Sequence, residues 1–146
     1  MTIEEYWKSF IEAFPEYKGV RFEAWSFGTN ENELADLVKK GIKRATTSGY
    51  SSYDAEGDPL PEVGEISVIL NEKDTPECIV ETTRVYQTPF NQVSEQHAYL
   101  EGEGDKSLAY WREVHIEFFE DYYSELGISF DESEIIVCEE FKLLYV

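Results

Sequence analysis

The sequence predicts an α+β domain built on a small β-barrel, closed or partly closed, of about five to six strands with helices on its rim. Three observations predict it. At 146 residues the chain suits one domain rather than two. Five or so apolar, β-prone runs are mixed with three or four stretches of helical period, without strict βαβ alternation. Three Trp, ten Tyr and nine Phe, with 42% hydrophobic residues, supply ample apolar surface for a core and exclude a disordered chain.

The elements follow in order. Thr2 with Glu5 three residues on is a capping box. Tyr6, Trp7, Phe10, Ile11 and Phe14 recur at helical spacing behind it, so a helix is expected over residues 3–14, closed before Pro15. Residues 21–27 alternate with period two and read as a strand ending at Gly28. Asn30 with Glu33 opens a second helix, Leu34, Leu37 and Val38 form its buried stripe, and Gly41 follows its end.

A short strand is expected over residues 45–48, then a loop from Gly49 to Gly64. Residues 66–70 and 78–86 read as strands and residues 91–100 as a short helix. The strongest helical pattern covers residues 105–126, where Leu108, Trp111, His115, Phe118 and Tyr122 step by 3, 4, 3 and 4. Asp105 is its expected cap. A long strand closes the chain over residues 134–146, with a phase slip around 139–141 that suggests a bulge.

The formal net charge of -19 excludes a generic duplex-DNA coater, which needs a broad basic surface. No apolar run is long enough to span a membrane, and no signal peptide is recognisable, so a cytoplasmic protein is expected. Cys78 and Cys138 lie in apolar runs without CxxC spacing and read as buried thiols. With only His97 and His115 beside them, no metal or other cofactor is expected.

Six groups of residues could carry chemistry. Lys39, Lys40, Lys43 and Arg44 form a cationic spot, either helix-end cations or a site for one anionic group. Lys43 and Thr46, at the mouth of a strand, could supply a base and a nucleophile, or be an exposed Lys and an ordinary strand Thr. Glu81, mid-strand, either faces water or turns inward to pair with Lys43. Glu101, Glu103 and Asp105 flank two glycines, as a cation loop or as acidic residues at a helix start. On the long helix, His115 is a core-edge histidine or an acid–base group. Trp25, Tyr50, Tyr53 and Trp111 are candidates to stack on a base, or core.

Taken together, these motifs resemble the ASCH family, a branch of the PUA-like β-barrel superfamily. The resemblance is carried by Trp25-Ser26-Phe27-Gly28, by the run Leu37 to Ser48 with its Gly-x-Lys-x-x-Thr step, and by Pro61 to Gly64. Cys78 to Thr82, Pro89-Phe90, Glu101-Gly102-Glu103-Gly104-Asp105 and Tyr110 to His115 complete it. It covers residues 20–146 of one domain spanning 1–146, with residues 1–18 as an N-terminal helical extension.

The resemblance implies a barrel with a cleft beside the Gly-x-Lys step and, by likeness to PUA domains, RNA binding. A small branch is similar in hydrolysing N4-acetylcytidine with a Lys, a Thr and a Glu. Those roles fall here on Lys43, Thr46 and Glu81, with Val80 where the branch has Ile. Lys43 would deprotonate Thr46, which attacks the amide, while Glu81 orients Lys43 or passes a proton to the leaving amine. Trp25, Arg44, Ser48, Tyr53, Glu101, Tyr110, Trp111 and His115 would line the substrate. The expected partner is a nucleoside or a short single-stranded RNA, with no duplex DNA and no membrane, and a homodimer is left open. A non-catalytic RNA-binding module and a metal-dependent ribonuclease are the competing readings.

Overall fold

The computed structural model describes residues 1–146. Five helices surround one five-stranded, curled half-barrel sheet. In chain order the elements are α1 (Ile3–Ala13), β1 (Phe22–Ser26), α2 (Glu31–Lys39), β2 (Ala45–Gly49), α3 (Tyr50–Glu56), β3 (Ile66–Leu70), β4 (Pro76–Pro89), α4 (Glu95–Glu101), α5 (Leu108–Glu125) and β5 (Ile135–Tyr145). The sheet runs β1-β3-β4-β5-β2, parallel between β1 and β3 and antiparallel elsewhere. Its end strands, β1 and β2, do not pair, so the barrel is partly closed.

Local chemistry explains most boundaries. Thr2 accepts from the Glu5 amide at the start of α1. Gly41, at φ +75°, turns the chain out of α2. Ser107, not Asp105, caps α5 by accepting from the Tyr110 amide; the Asp105 carboxylate accepts instead from the Ser107 amide and shapes the entry. Asn30 departs from expectation too. It sits in the left-handed region and makes no side-chain cap.

The expected loop after Gly49 opens with a helix, α3. Ser52 donates to the Gly49 carbonyl and Gly57 ends the helix at φ +71°. Its seven residues have no apolar stripe, so periodicity could not reveal it. Between β4 and β5 the register shifts from Thr82↔Phe141 to Arg84↔Glu140, which places the irregularity where the phase slips.

Both faces of the sheet are covered. Trp7 and Phe10 of α1 pack with Ile66, Val68, Leu70 and Ile79. Leu34, Ala35 and Val38 of α2 pack with Phe27, Ile69, Cys78, Val80 and Phe141. Trp111, Phe119 and Tyr123 of α5 pack with Phe90, Ile136 and Cys138. Gly49 is the close approach: a Cβ there would collide with the Tyr123 ring. Both cysteines are buried and free. No helix is long and apolar enough to cross a membrane.

Candidate functional site

Lys43 leaves α2 on the Gly41 turn and its side chain is 1% exposed. An ammonium is rarely buried this deeply without partners. Here Nζ lies 3.1 Å from Glu101 Oε1 and 2.9 Å from Glu103 Oε2. Gly102 lets both carboxylates face it. At φ +72° it reverses the chain at the end of α4, and a Cβ would collide with the Ile42 carbonyl.

Glu101 is the hub. Its Oε2 accepts from the Thr47 hydroxyl at 2.6 Å and from Trp111 Nε1–H at 2.5 Å, and lies 3.0 Å from His97 Nε2. His97 Nε2 is also 2.7 Å from Thr47 Oγ1. With the carboxylate and the hydroxyl both beside it, Nε2 carries the proton. That leaves His97 Nδ1 buried without a partner.

His115 Nδ1 donates to the Trp111 carbonyl at 2.8 Å, and its Nε2 lies 3.6 Å from Glu101 Oε1. Its ring stacks on Trp111, with centroids 4.2 Å apart. With Nδ1–H committed to a carbonyl and Nε2 facing a carboxylate, His115 is placed to be an imidazolium. Lys43 and His115 then balance Glu101 and Glu103, two charges against two.

The titration shifts follow this geometry. Burial would raise the Glu101 pKa, but the Lys43 and His115 charges overcome it and hold the carboxyl well below its usual range. Burial would lower Lys43, but Glu101 and Glu103 push it above the ordinary lysine value. Burial likewise opposes His115, and Glu101 raises it above the ordinary histidine value. Lys43 is therefore a held ammonium, not the free base expected of it.

The structure separates the other two expected catalytic groups from Lys43. Glu81 lies opposite Ile66 and Lys142, on the sheet face that α1 covers, with its carboxylate beside Tyr17. Its neighbours Val80 and Thr82 take the opposite face. Thr46 pairs with Glu139 on β5, and strand alternation turns it away from Glu101. Thr47 supplies the hydroxyl at the centre instead.

Of the expected lining residues, Glu101, Trp111 and His115 converge here. Tyr110 is exposed and lies over Gly104. Arg44 is exposed, and its backbone bonds Leu100 and Phe141. Trp25 packs edge-on to Phe27 at 5.1 Å. Ser48 and Tyr53 share a 2.5 Å hydrogen bond on the other side of β2.

Thr47 and His97 were missed as site residues, and Glu103 was expected only as a cation ligand or a helix-start acid, not as a partner of Lys43. The signal was local: His97 and Glu101 are four apart on α4, hence on one helix face. The cationic spot is largely neutralised, since Lys39 pairs with Glu77, Lys40 with Asp36, and Lys43 is internal.

Glu101, Glu103 and His115 offer ligand atoms within 4.8 Å of one another. The Lys43 ammonium already rests on both carboxylates, so the chain supplies its own cation there. Only Thr47, Glu103 and His115 keep appreciable surface, which makes them the face a ligand would meet.

The ASCH domain family model matches residues 23–145. A solved ASCH domain from Lactobacillus crispatus JV V101 is 39% identical with a TM-score of 0.91, covering 98% of this chain and 94% of that one. A solved protein from Enterococcus faecalis V583 is 32% identical with a TM-score of 0.89, covering 98% and 88%. The ASCH structure from Zymomonas mobilis shares the fold alone, at 12% identity and a TM-score of 0.52 over 82% of this chain and 66% of that one. No curated protein matches the chain.

Proposed function

Since the chain belongs to the ASCH domain family and carries a hydroxyl held against a buried Lys–Glu pair, we propose that it hydrolyses an amide on a modified nucleoside such as N4-acetylcytidine. The observation that carries this reading is Thr47 Oγ1, within 2.7 Å of both Glu101 Oε2 and His97 Nε2. A weak nucleophile becomes competent when a neighbour takes its proton. Glu101 is the nearest acceptor; because Lys43 and His115 hold it ionised it is a weak base, so it relays the proton to the leaving nitrogen rather than keeping it.

Thr47 Oγ attacks the acyl carbon and its proton passes to Glu101. The carbon–nitrogen bond then breaks, the nitrogen takes the proton, and the amine leaves. Water attacks the resulting Thr47 ester, its proton returns through Glu101 to Oγ, and the carboxylic acid departs. A neutral nucleoside suits this surface better than an RNA strand. Most of the cationic spot is paired internally, Arg84 is paired with Glu140, and the net charge is -19.

The test is N4-acetylcytidine turnover at pH 7–8, followed by released acetate. Wild type is expected to turn over, Thr47→Val and Lys43→Ala to lose activity by about 10²-fold or more, and Thr46→Val to retain it. Folded wild type without turnover would overturn the hydrolase reading. Equal loss in the Thr46 and Thr47 variants would overturn the assignment of the nucleophile.

A further inference from the structure

A concavity of about 580 Å3 lies away from the Lys43 centre. It lies beside α3 and is lined by Tyr50, Ser51, Tyr53, Asp54, Ala55, Asp58, Leu60 and Ile128. No basic side chain lines it. Asp54 and Asp58 are exposed and neither is engaged by a cation of this chain. Tyr50 is 42% exposed and lines the cavity. Ala55, Leu60 and Ile128 add an apolar wall.

We propose that this concavity binds an alkylammonium group, a primary amine carried on a methylene chain. Each lining type answers one part of that ligand. The two carboxylates match the charge, the tyrosine faces attract a cation through their quadrupoles, and the apolar wall takes the methylenes. The only charged side chains of the lining are the two carboxylates. Burial foremost, then the Glu139, Glu65 and Asp58 carboxylates, push the Tyr53 hydroxyl up to about 12, against the hydrogen bond from Ser48. The site is separate from the Thr47–Glu101 centre, since Ser48 and Tyr53 lie on the other side of β2.

Spermidine titrated into the full chain at about 100 mM salt is the probe, read by calorimetry. An acidic protein attracts polyamines everywhere, so variants decide. One saturable site is expected, weakened at least fivefold in Asp54→Asn/Asp58→Asn and also in Tyr50→Ala, which keeps the charge. Glu113→Gln/Glu120→Gln, an equal charge change on exposed positions of α5, should leave it unchanged. Equal weakening in both double variants, or none in Tyr50→Ala, would overturn the site in favour of diffuse attraction. A short lysine peptide run in parallel identifies the source. Tighter binding than spermidine with the same variant pattern places the ammonium on a partner chain, and weaker binding places it on a free polyamine.

Discussion

Two glutamates lie on either side of β2 and β5, and their surroundings drive them in opposite directions. Glu101 is 2% exposed, yet Lys43, His115, Thr47 and Trp111 all present positive charge or a proton to it. It is held ionised. Glu139, paired with Thr46 across the strands, has no cation beside it. Burial first, then the Glu65 and Glu23 carboxylates, raise it to about 7, and a hydrogen bond from Thr82 offsets only part of this. Burial alone therefore does not set the charge of a carboxylate. The count of donors and cations around it does. The first centre is built to keep an anion, and the second to keep a proton up to near neutrality.

The largest effect should come from breaking the first centre. Lys43→Met leaves Glu101 buried with its principal cation gone, which costs about 3–5 kcal/mol. Urea unfolding at pH 7 measures it, and a loss below 1 kcal/mol would mean that water reaches the pair and screens it.

Glu139→Gln should act with the opposite sign. A raised folded pKa means that stability is fully present below the unfolded value of 4.5 and is lost as pH rises through about 7. The amide removes that loss, so the variant should be more stable than wild type at pH 8 by on the order of 2 kcal/mol and indistinguishable at pH 4. Thermal unfolding at both pH values checks this, and equal stabilities at pH 8 would show Glu139 to be solvated. The smallest contrast lies within β2. Thr47→Val removes a hydroxyl bonded to a buried carboxylate, for about 1–2 kcal/mol, whereas Thr46→Val, half-buried on the other face, should stay within about 0.5 kcal/mol. Parallel denaturation of the two variants measures the difference.

Much of the fold was legible because each cue is local. The Thr2 capping box, the Gly41 turn, the 3-4-3-4 stripe of α5 and the slipping phase of β5 each depend on residues a few positions apart. Missing α3 has the same explanation in reverse, because a seven-residue helix without an apolar stripe leaves no period to read. The site was legible only in part. Lys43, Glu101, Trp111 and His115 were picked out as residue types, but their partners were not.

The choice between Glu81 and Glu101 as the partner of Lys43 shows why. Both are acidic residues bordered by apolar chain, and 58 positions separate Lys43 from Glu101. Only the path of β4 and the turn at Gly102 bring one carboxylate to the ammonium and send the other to Tyr17. The same holds for Thr46 and Thr47, where one step of strand alternation decides which hydroxyl reaches Glu101. By itself the sequence determined the α+β class, the ASCH resemblance, the acidic surface and where most helices begin and end, since these follow from composition and short-range stereochemistry. The tertiary structure alone decided which carboxylate stays charged and which hydroxyl it grips. Both depend on contacts across the sheet, where side chains distant in sequence exclude water and share protons.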